Sequence, residues 1–438
     1  MSTLQDTYVP IDSTAVESQK ALFKKIAWRL MPFLFICYLI AQVDRMNVSF
    51  AKLQMLDELK FSDTIYGLAA GIFFIGYVLF EVPSNIMLRK YGAHRWISRI
   101  MVSWGIVTIG MMFVTTPMQF YVMRFLLGVA EAGFFPGVIY YLTYWFPKAH
   151  RTRMTAIFMT AIALSGVIVG PISGWIMQSM HTLHGYSGWQ WLFIIEGVPA
   201  VILGVCCLFY LPETPAKSKW LSAEDKRQLD SIMTLESGAQ VELPLREVLR
   251  GPRVWLLSAI YGCYGMSFFG FVFWLPTIVK AAGVNDPLSI GLLTSIPWAI
   301  AVIAMFFIAI QVDRKQNALP VLMVLSALAA VGWALSPTVS GNVGLSMAVL
   351  SLAMFGLMSS LPVFWNLPTT AYHGTAAAAV IAIVTSLGNV PGFFSPYVVG
   401  WIKELTQSMA AAMYMFSATS VLAVVLLMIY SNVLKKAR

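Results

Sequence analysis

The sequence predicts an all-α membrane protein, with twelve transmembrane helices in two pseudo-symmetric six-helix bundles. Three observations carry this. The 438 residues are 58% hydrophobic and only 11% charged, whereas soluble domains are about a quarter charged; the mean hydropathy is +0.74. Twelve apolar runs are long enough to cross a bilayer as helices. Landmarks of the first six runs recur in the last six at a nearly constant offset.

In chain order, 1–27 reads as an N-terminal tail, without the short apolar core and small-residue cleavage site of a signal peptide. The first bundle, 28–211, holds spans near 28–50, 65–88, 97–116, 119–141, 154–177 and 191–211. A charged linker follows at 212–253, where Ser222-Ala-Glu-Asp225 reads as the capping box of a short surface helix. The second bundle, 254–434, holds spans near 254–279, 289–311, 319–336, 344–367, 375–402 and 409–434, and 435–438 is a tail. Pro136 matches Pro362, Pro171 with Trp175 matches Pro396 with Trp401, and Arg89-Lys90 matches Asp313-Arg314, all about 225 residues apart. Paired halves around a midplane site are a transporter architecture.

Charge placement gives orientation. Basic residues collect in the N-terminal tail (Lys20, Lys24, Lys25, Arg29), at Arg89–Arg99, at Lys148–Arg153, through the linker, at Arg314-Lys315 and at the C-terminus. The opposite segments hold Lys52, Lys60, Lys280 and Lys403. The positive-inside rule then puts both termini in the cytoplasm. The net charge of +9 is an orientation signal and not a nucleic-acid patch. The four cysteines lie in apolar spans and read as packing residues.

The stretch Arg124-Phe-Leu-Leu-Gly-Val-Ala-Glu131 puts two charges inside a membrane span. Seven residues apart, they share one helix face, ~10 Å apart along the axis. Gly128 is expected to keep that face open between them. Asp44-Arg45 adds two more deep charges, Asp44 lying ~24 Å across a core of ~30 Å if the helix enters at Trp28. Helix neighbours point about 100° apart, so Asp44 is expected to reach Arg124 while Arg45 faces the central path. Intramembrane charges normally face a water-filled cavity or a partner. Protonating Asp44 or Glu131 would free a guanidinium for an anion, and an arginine fork suits a carboxylate. Neutral candidates for substrate contact are Tyr77, Tyr264, Trp274, Trp365, Asn366, Thr385 and Asn389. Glu81, Arg89, Asp313 and Arg314 are weaker candidates for gating, and Glu196 reads as structural. His181, His184 and His373 lie in loops and are not expected to bind metal.

At Val43-Asp-Arg-Met-Asn47, Glu81-Val-Pro-Ser-Asn85, the span-4 stretch and Gly188–Gly197, the chain resembles the major facilitator superfamily. Leu211-Pro-Glu-Thr-Pro215 and Phe364-Trp-Asn-Leu-Pro368 make it similar to the anion:cation symporters, which carry sugar acids, tartrate, phthalate and hydroxyphenylacetate. The resemblance implies proton coupling at Asp44 and Glu131 and substrate and coupling roles for Arg45 and Arg124. It places a substrate-touching tyrosine at Tyr77. The loop 89–92 lacks the acid usual in the superfamily, and Thr385 stands where many members have asparagine. Gly166–Gly174 resembles a drug-antiporter motif and is read as helix geometry.

The expected function is import of a small organic carboxylate with protons across a bacterial inner membrane, by a chain working as a monomer. The alternatives are an exporter or antiporter of the same superfamily and, less favoured, a transporter-like sensor. No nucleophile–base pair, metal cluster or phosphate-binding loop accompanies the charges, so catalytic residues and cofactors are not expected.

Overall fold

The computed structural model describes residues 13–236, 251–315, 317–371 and 374–436. Among them there are helices and no strands. The first half contains α1 (Ser13–Leu59), α2 (Asp63–Tyr91), α3 (Ala93–Gly110), α4 (Pro117–Glu131), α5 (Phe134–Leu142), α6 (Lys148–Ser179) and α7 (Gly188–Tyr210). The linker helix α8 is Ala223–Glu236. The second half contains α9 (Pro252–Ala281), α10 (Pro287–Lys315), α11 (Ala318–Leu335), α12 (Val343–Phe364), α13 (Asn366–Ala371), α14 (Gly374–Thr406) and α15 (Ala410–Lys436). Eleven spans among the described residues are long and apolar enough to cross a membrane. The 33-residue α14 is long enough to be a twelfth.

Local chemistry sets several helix starts. Ser62 accepts from the Ile65 amide ahead of α2, and Asn342 accepts from Leu345 ahead of α12. Thr116 with Gln119, and Ser187 with Gln190, form capping boxes at α4 and α7. The Ser222–Asp225 box opens α8 as the sequence implied, with both hydrogen bonds at 3.0 Å.

Two elements depart from the simple span reading. Helix α1 is 47 residues long, more than twice what a bilayer core of ~30 Å requires, and it carries Lys52 inside a packed helix. Span 4 is broken: α4 ends at Glu131, and Gly133 turns the chain in the left-handed region at φ +86° before α5 begins. A Cβ there would meet Ser84 Oγ at 2.5 Å, so both backbone and space demand glycine.

The two halves meet on the side opposite the termini, the far side. There α2 packs on α14 and α6 on α10. The α6–α10 seam is so close that a Cβ on Gly170 would lie 2.2 Å from the Gly291 carbonyl. The Gly166–Gly174 run is therefore a packing surface. Tyr66 donates to the Phe273 carbonyl at 2.7 Å, and Phe74 packs on Phe269 with centroids 4.8 Å apart. Among the described residues, no hydrogen bond, ion pair or ring contact joins the halves nearer the termini than Phe74–Phe269. Among the described residues, the hydrogen bonds and ion pairs between the halves gather on the far side.

The linker is tied to the first half. Lys25 donates to Asp225 at 2.7 Å, and Trp220 stacks on Trp145. The Lys25 ammonium, aided by Ser222, holds the Asp225 carboxyl below its ordinary value. A depressed acid stabilises the folded contact above its unfolded value, about 3.9, and loses that contribution as pH falls through the folded value. Hydrogen-exchange protection in 223–236, taken relative to the intrinsic rate at each pH, is therefore expected to hold through neutral pH and to fall only below about pH 4.

Candidate functional site

Arg45, on α1, donates through Nη2 to Glu131 Oε1 at the end of α4. Glu131 is buried, while the Arg45 side chain keeps 20% of its surface exposed. The break after Glu131 ends α4 at this acid. The Arg45 guanidinium lies 5.3 Å from the Phe73 ring centroid and 5.4 Å from that of Tyr77, both on α2. This is a cationic fork held by one carboxylate and two aromatic faces.

Asp44 does not meet Arg124, contrary to the sequence expectation. It points to α3, accepting from Thr108 Oγ1 at 2.8 Å and from Asn47 Nδ2 at 3.2 Å. Helix depth gives the height of a residue; which neighbouring helix its face meets is set by packing. Arg124 is fully buried. Its Nε donates to the Ala69 carbonyl at 3.4 Å, its guanidinium lies 5.0 Å from Phe73, and its two terminal nitrogens have no partner among the described residues. The spacing argument for Arg124 and Glu131 holds within α4, but Gly128 has another task. A Cβ there would lie 2.0 Å from the Phe73 carbonyl, so Gly128 lets α2 pack against α4. It does not keep open a space between the charges.

In the second half the candidates are engaged locally. Tyr264 shares a 2.9 Å hydrogen bond with Ser326 on α11, and Thr385 donates to Ile381 of its own helix at 2.8 Å. Asn366 donates to the Val363 carbonyl at 3.3 Å, and Asn389 is half-buried. Trp365 packs on Tyr261. Among the described residues, neither Tyr264 nor Thr385 is hydrogen-bonded to Arg45 or Glu131. Trp274 is used elsewhere, as the cover of Lys52 at 3.1 Å from its centroid.

Residues 34–396 match the Major Facilitator Superfamily. The chain belongs to that superfamily. NicT of Pseudomonas putida, provisionally named for metabolite transport, is 44% identical over 405 residues, covering 92% of this chain and 93% of its own. A protein of Agrobacterium vitis provisionally named a tartrate transporter is 42% identical over 414 residues, covering 94% and 95%. The fold is shared with a crystal structure of a bacterial homologue of the human lysosomal transporter Spinster, at a TM-score of 0.72 and 14% identity, covering 92% of this chain and 95% of that one.

As a Major Facilitator member the chain is a multi-pass membrane transporter and not an enzyme. Arg89 lies over the Tyr140 ring and Arg314 is exposed; the Asp313 side chain, like His373, lies outside the described residues. Glu81 is half-buried, and its backbone carbonyl accepts from Asn85. An acid from the chain after α7 lies near the loop 89–92. Glu213 stands beside Gly92, where a Cβ would lie 3.4 Å from its Oε1, and is held by Lys217 at 2.6 Å.

The sequence reading missed the far-side latch. Asp63, at the start of α2, holds Lys52 at 2.9 Å and Lys403 of α14 at 2.5 Å, joining the halves. Lys280 reaches Asp57 at 3.7 Å. The available signal was Lys52, which falls within a continuous helix and not in a loop. Asp63→Asn leaves Lys52 and Lys403 with no counter-charge at that position. The distance between spin labels at Lys60 and Asn285 is expected to widen, with the far-side-open population raised about tenfold for each 1.4 kcal/mol lost. An unchanged distance distribution would remove the latch role.

Proposed function

We propose that this transporter imports a small organic carboxylate together with protons by alternating access across a bacterial inner membrane. The terminal side is then cytoplasmic, as its basic residues favour. The observation carrying this reading is the Arg45–Glu131 pair, a buried carboxylate neutralising a partly exposed guanidinium inside the first half. Arg45 anchors the substrate carboxylate, and Tyr77 and Phe73 form the wall beside it. Protonation of Glu131 releases the fork, so proton and anion each favour the other's binding. The tartrate name carried by a relative supports a carboxylate substrate. The chain works as a monomer in this reading.

The test is uptake of a labelled carboxylate panel into proteoliposomes, with and without an imposed pH gradient. Accumulation of one acid that follows the gradient supports the proposal. Accumulation indifferent to the gradient removes proton coupling, and no uptake of any acid removes the substrate class.

A further inference from the structure

Five ionisable side chains cluster in the interior of the first half: Arg45, Arg124, Asp44, Glu131 and Glu196. Arg124, Asp44, Glu131 and Glu196 are each at most 5% exposed. Two are cations and three are acids, so the set carries one negative charge too many unless an acid holds a proton. Arg45 is taken by Glu131. The remaining cation, Arg124, faces Asp44 and Glu131 electrostatically without an ion pair to Asp44. Glu196 on α7 is the worst provided. Its Oε1 accepts from Ser173 Oγ on α6 at 2.8 Å, and its Oε2 is buried with no partner among the described residues. Among those residues no cation reaches it; the nearest ionisable neighbour is another acid, Asp44, with Asn47 facing both carboxyls. A bare carboxylate there would carry the desolvation cost of full burial with two neutral donors, Ser173 and Asn47, and no cation to offset it. Asp44 also has two donors, Thr108 and Asn47, but in addition faces the Arg124 charge.

We propose that Glu196 is a second proton site of the transport cycle, holding a proton in this conformation and sharing it with Asp44. In this conformation the pair carries one proton and one negative charge opposite Arg124; the proton leaves Glu196 Oε2, is taken by an Asp44 carboxylate oxygen, and is given up from Asp44 to water when the cycle releases it. With that proton in place the five groups sum to zero. Motion of α4 relative to α1 that brings Arg124 closer to Asp44 would draw the proton back to Glu196; motion away would free it to Asp44. The groups facing the pair are Glu131 and Arg124 on α4, Asn47 on α1, Thr108 on α3 and Ser173 on α6. The transport role rests on the proton-coupled reading above; the protonation itself does not.

Infrared difference spectra of the purified transporter in lipid, at neutral pH and without substrate, test the protonation. The wild type is expected to show a protonated-carboxyl C=O band that Glu196→Gln removes, by the area of one carboxyl. Ser173→Ala, which keeps the acid and deletes the Oε1 donor, is expected to shift that band to higher frequency. A spectrum unchanged by both variants overturns the proposal, even if carboxylate transport is established. For the transport role, the proton-to-substrate ratio from reversal potentials is expected to fall by one in Glu196→Gln. An unchanged ratio in a variant that has lost the band reduces Glu196 to a static acid and overturns that role.

Discussion

Glu131→Gln is expected to separate substrate exchange from driven uptake. Glutamine matches the acid in shape and offers Arg45 a carbonyl oxygen, so the fork stays oriented beside Phe73 and Tyr77. It cannot release a proton. Arg45 is then always available to a carboxylate, and the substrate binds and crosses without regard to the gradient. Each coupled proton is worth ~1.4 kcal/mol per pH unit, so an imposed step of two units supports a concentration ratio of about 100 for every proton coupled in the wild type. In proteoliposomes this variant is expected to lose that accumulation and level off near equal concentrations. Counterflow between loaded vesicles and medium is expected to stay within about threefold of wild type, the effect of a fraction of a kcal/mol. Loss of counterflow together with accumulation would mean that Glu131 orders the site instead of coupling it.

The division between legible and illegible parts of this chain has a physical basis. Hydropathy over twenty residues reports the solvent around a helix, and the bilayer is a solvent with sharp limits. Hence the spans, the paired halves and the linker were readable from composition and from the recurrence of Pro171–Trp175 at Pro396–Trp401. The charges of span 4 were readable for the same reason, since an arginine and a glutamate among leucines are too costly in lipid to stand without a partner or a cavity. What sequence spacing could not supply was azimuth across helices. It predicted correctly that Asp44 and Arg45 diverge, then assigned Asp44 to the wrong neighbour, because the choice between Thr108 and Arg124 depends on how α1 sits against α3 and α4. The break at Gly133 was hidden because one left-handed glycine in an apolar run looks like any other. Glu196 passed as an end-of-span residue until its burial and its missing partner on Oε2 were visible.

Arg45→Ala is expected to abolish recognition of the carboxylate, and the comparison with Arg45→Lys and Arg124→Ala tells why. Charge-assisted hydrogen bonds contribute about 1.5–3 kcal/mol each, so loss of the fork is expected to lower transport efficiency at least ~100-fold. Alanine also leaves Glu131 buried without its cation, a break that typically costs about 3–5 kcal/mol unless the acid takes up a proton. Thermal melting in the presence of lipid therefore accompanies uptake as a readout, to separate lost folding from lost binding. Lysine restores the charge as a point donor but not the planar fork. That variant is expected to recover folding and a minor part of transport, with KM raised about tenfold. Arg124 differs because it is sealed in the helix seam, against Ala69 and Phe73, with no exposed surface in this conformation. Arg124→Ala is expected to impair proton-driven accumulation more than substrate binding, since it removes the counter-charge of the Asp44–Glu196 pair and leaves Arg45 untouched. If Arg45→Ala transports normally while Arg124→Ala no longer binds the acid, the anchor is Arg124, and α4 must open the chamber to it during the cycle.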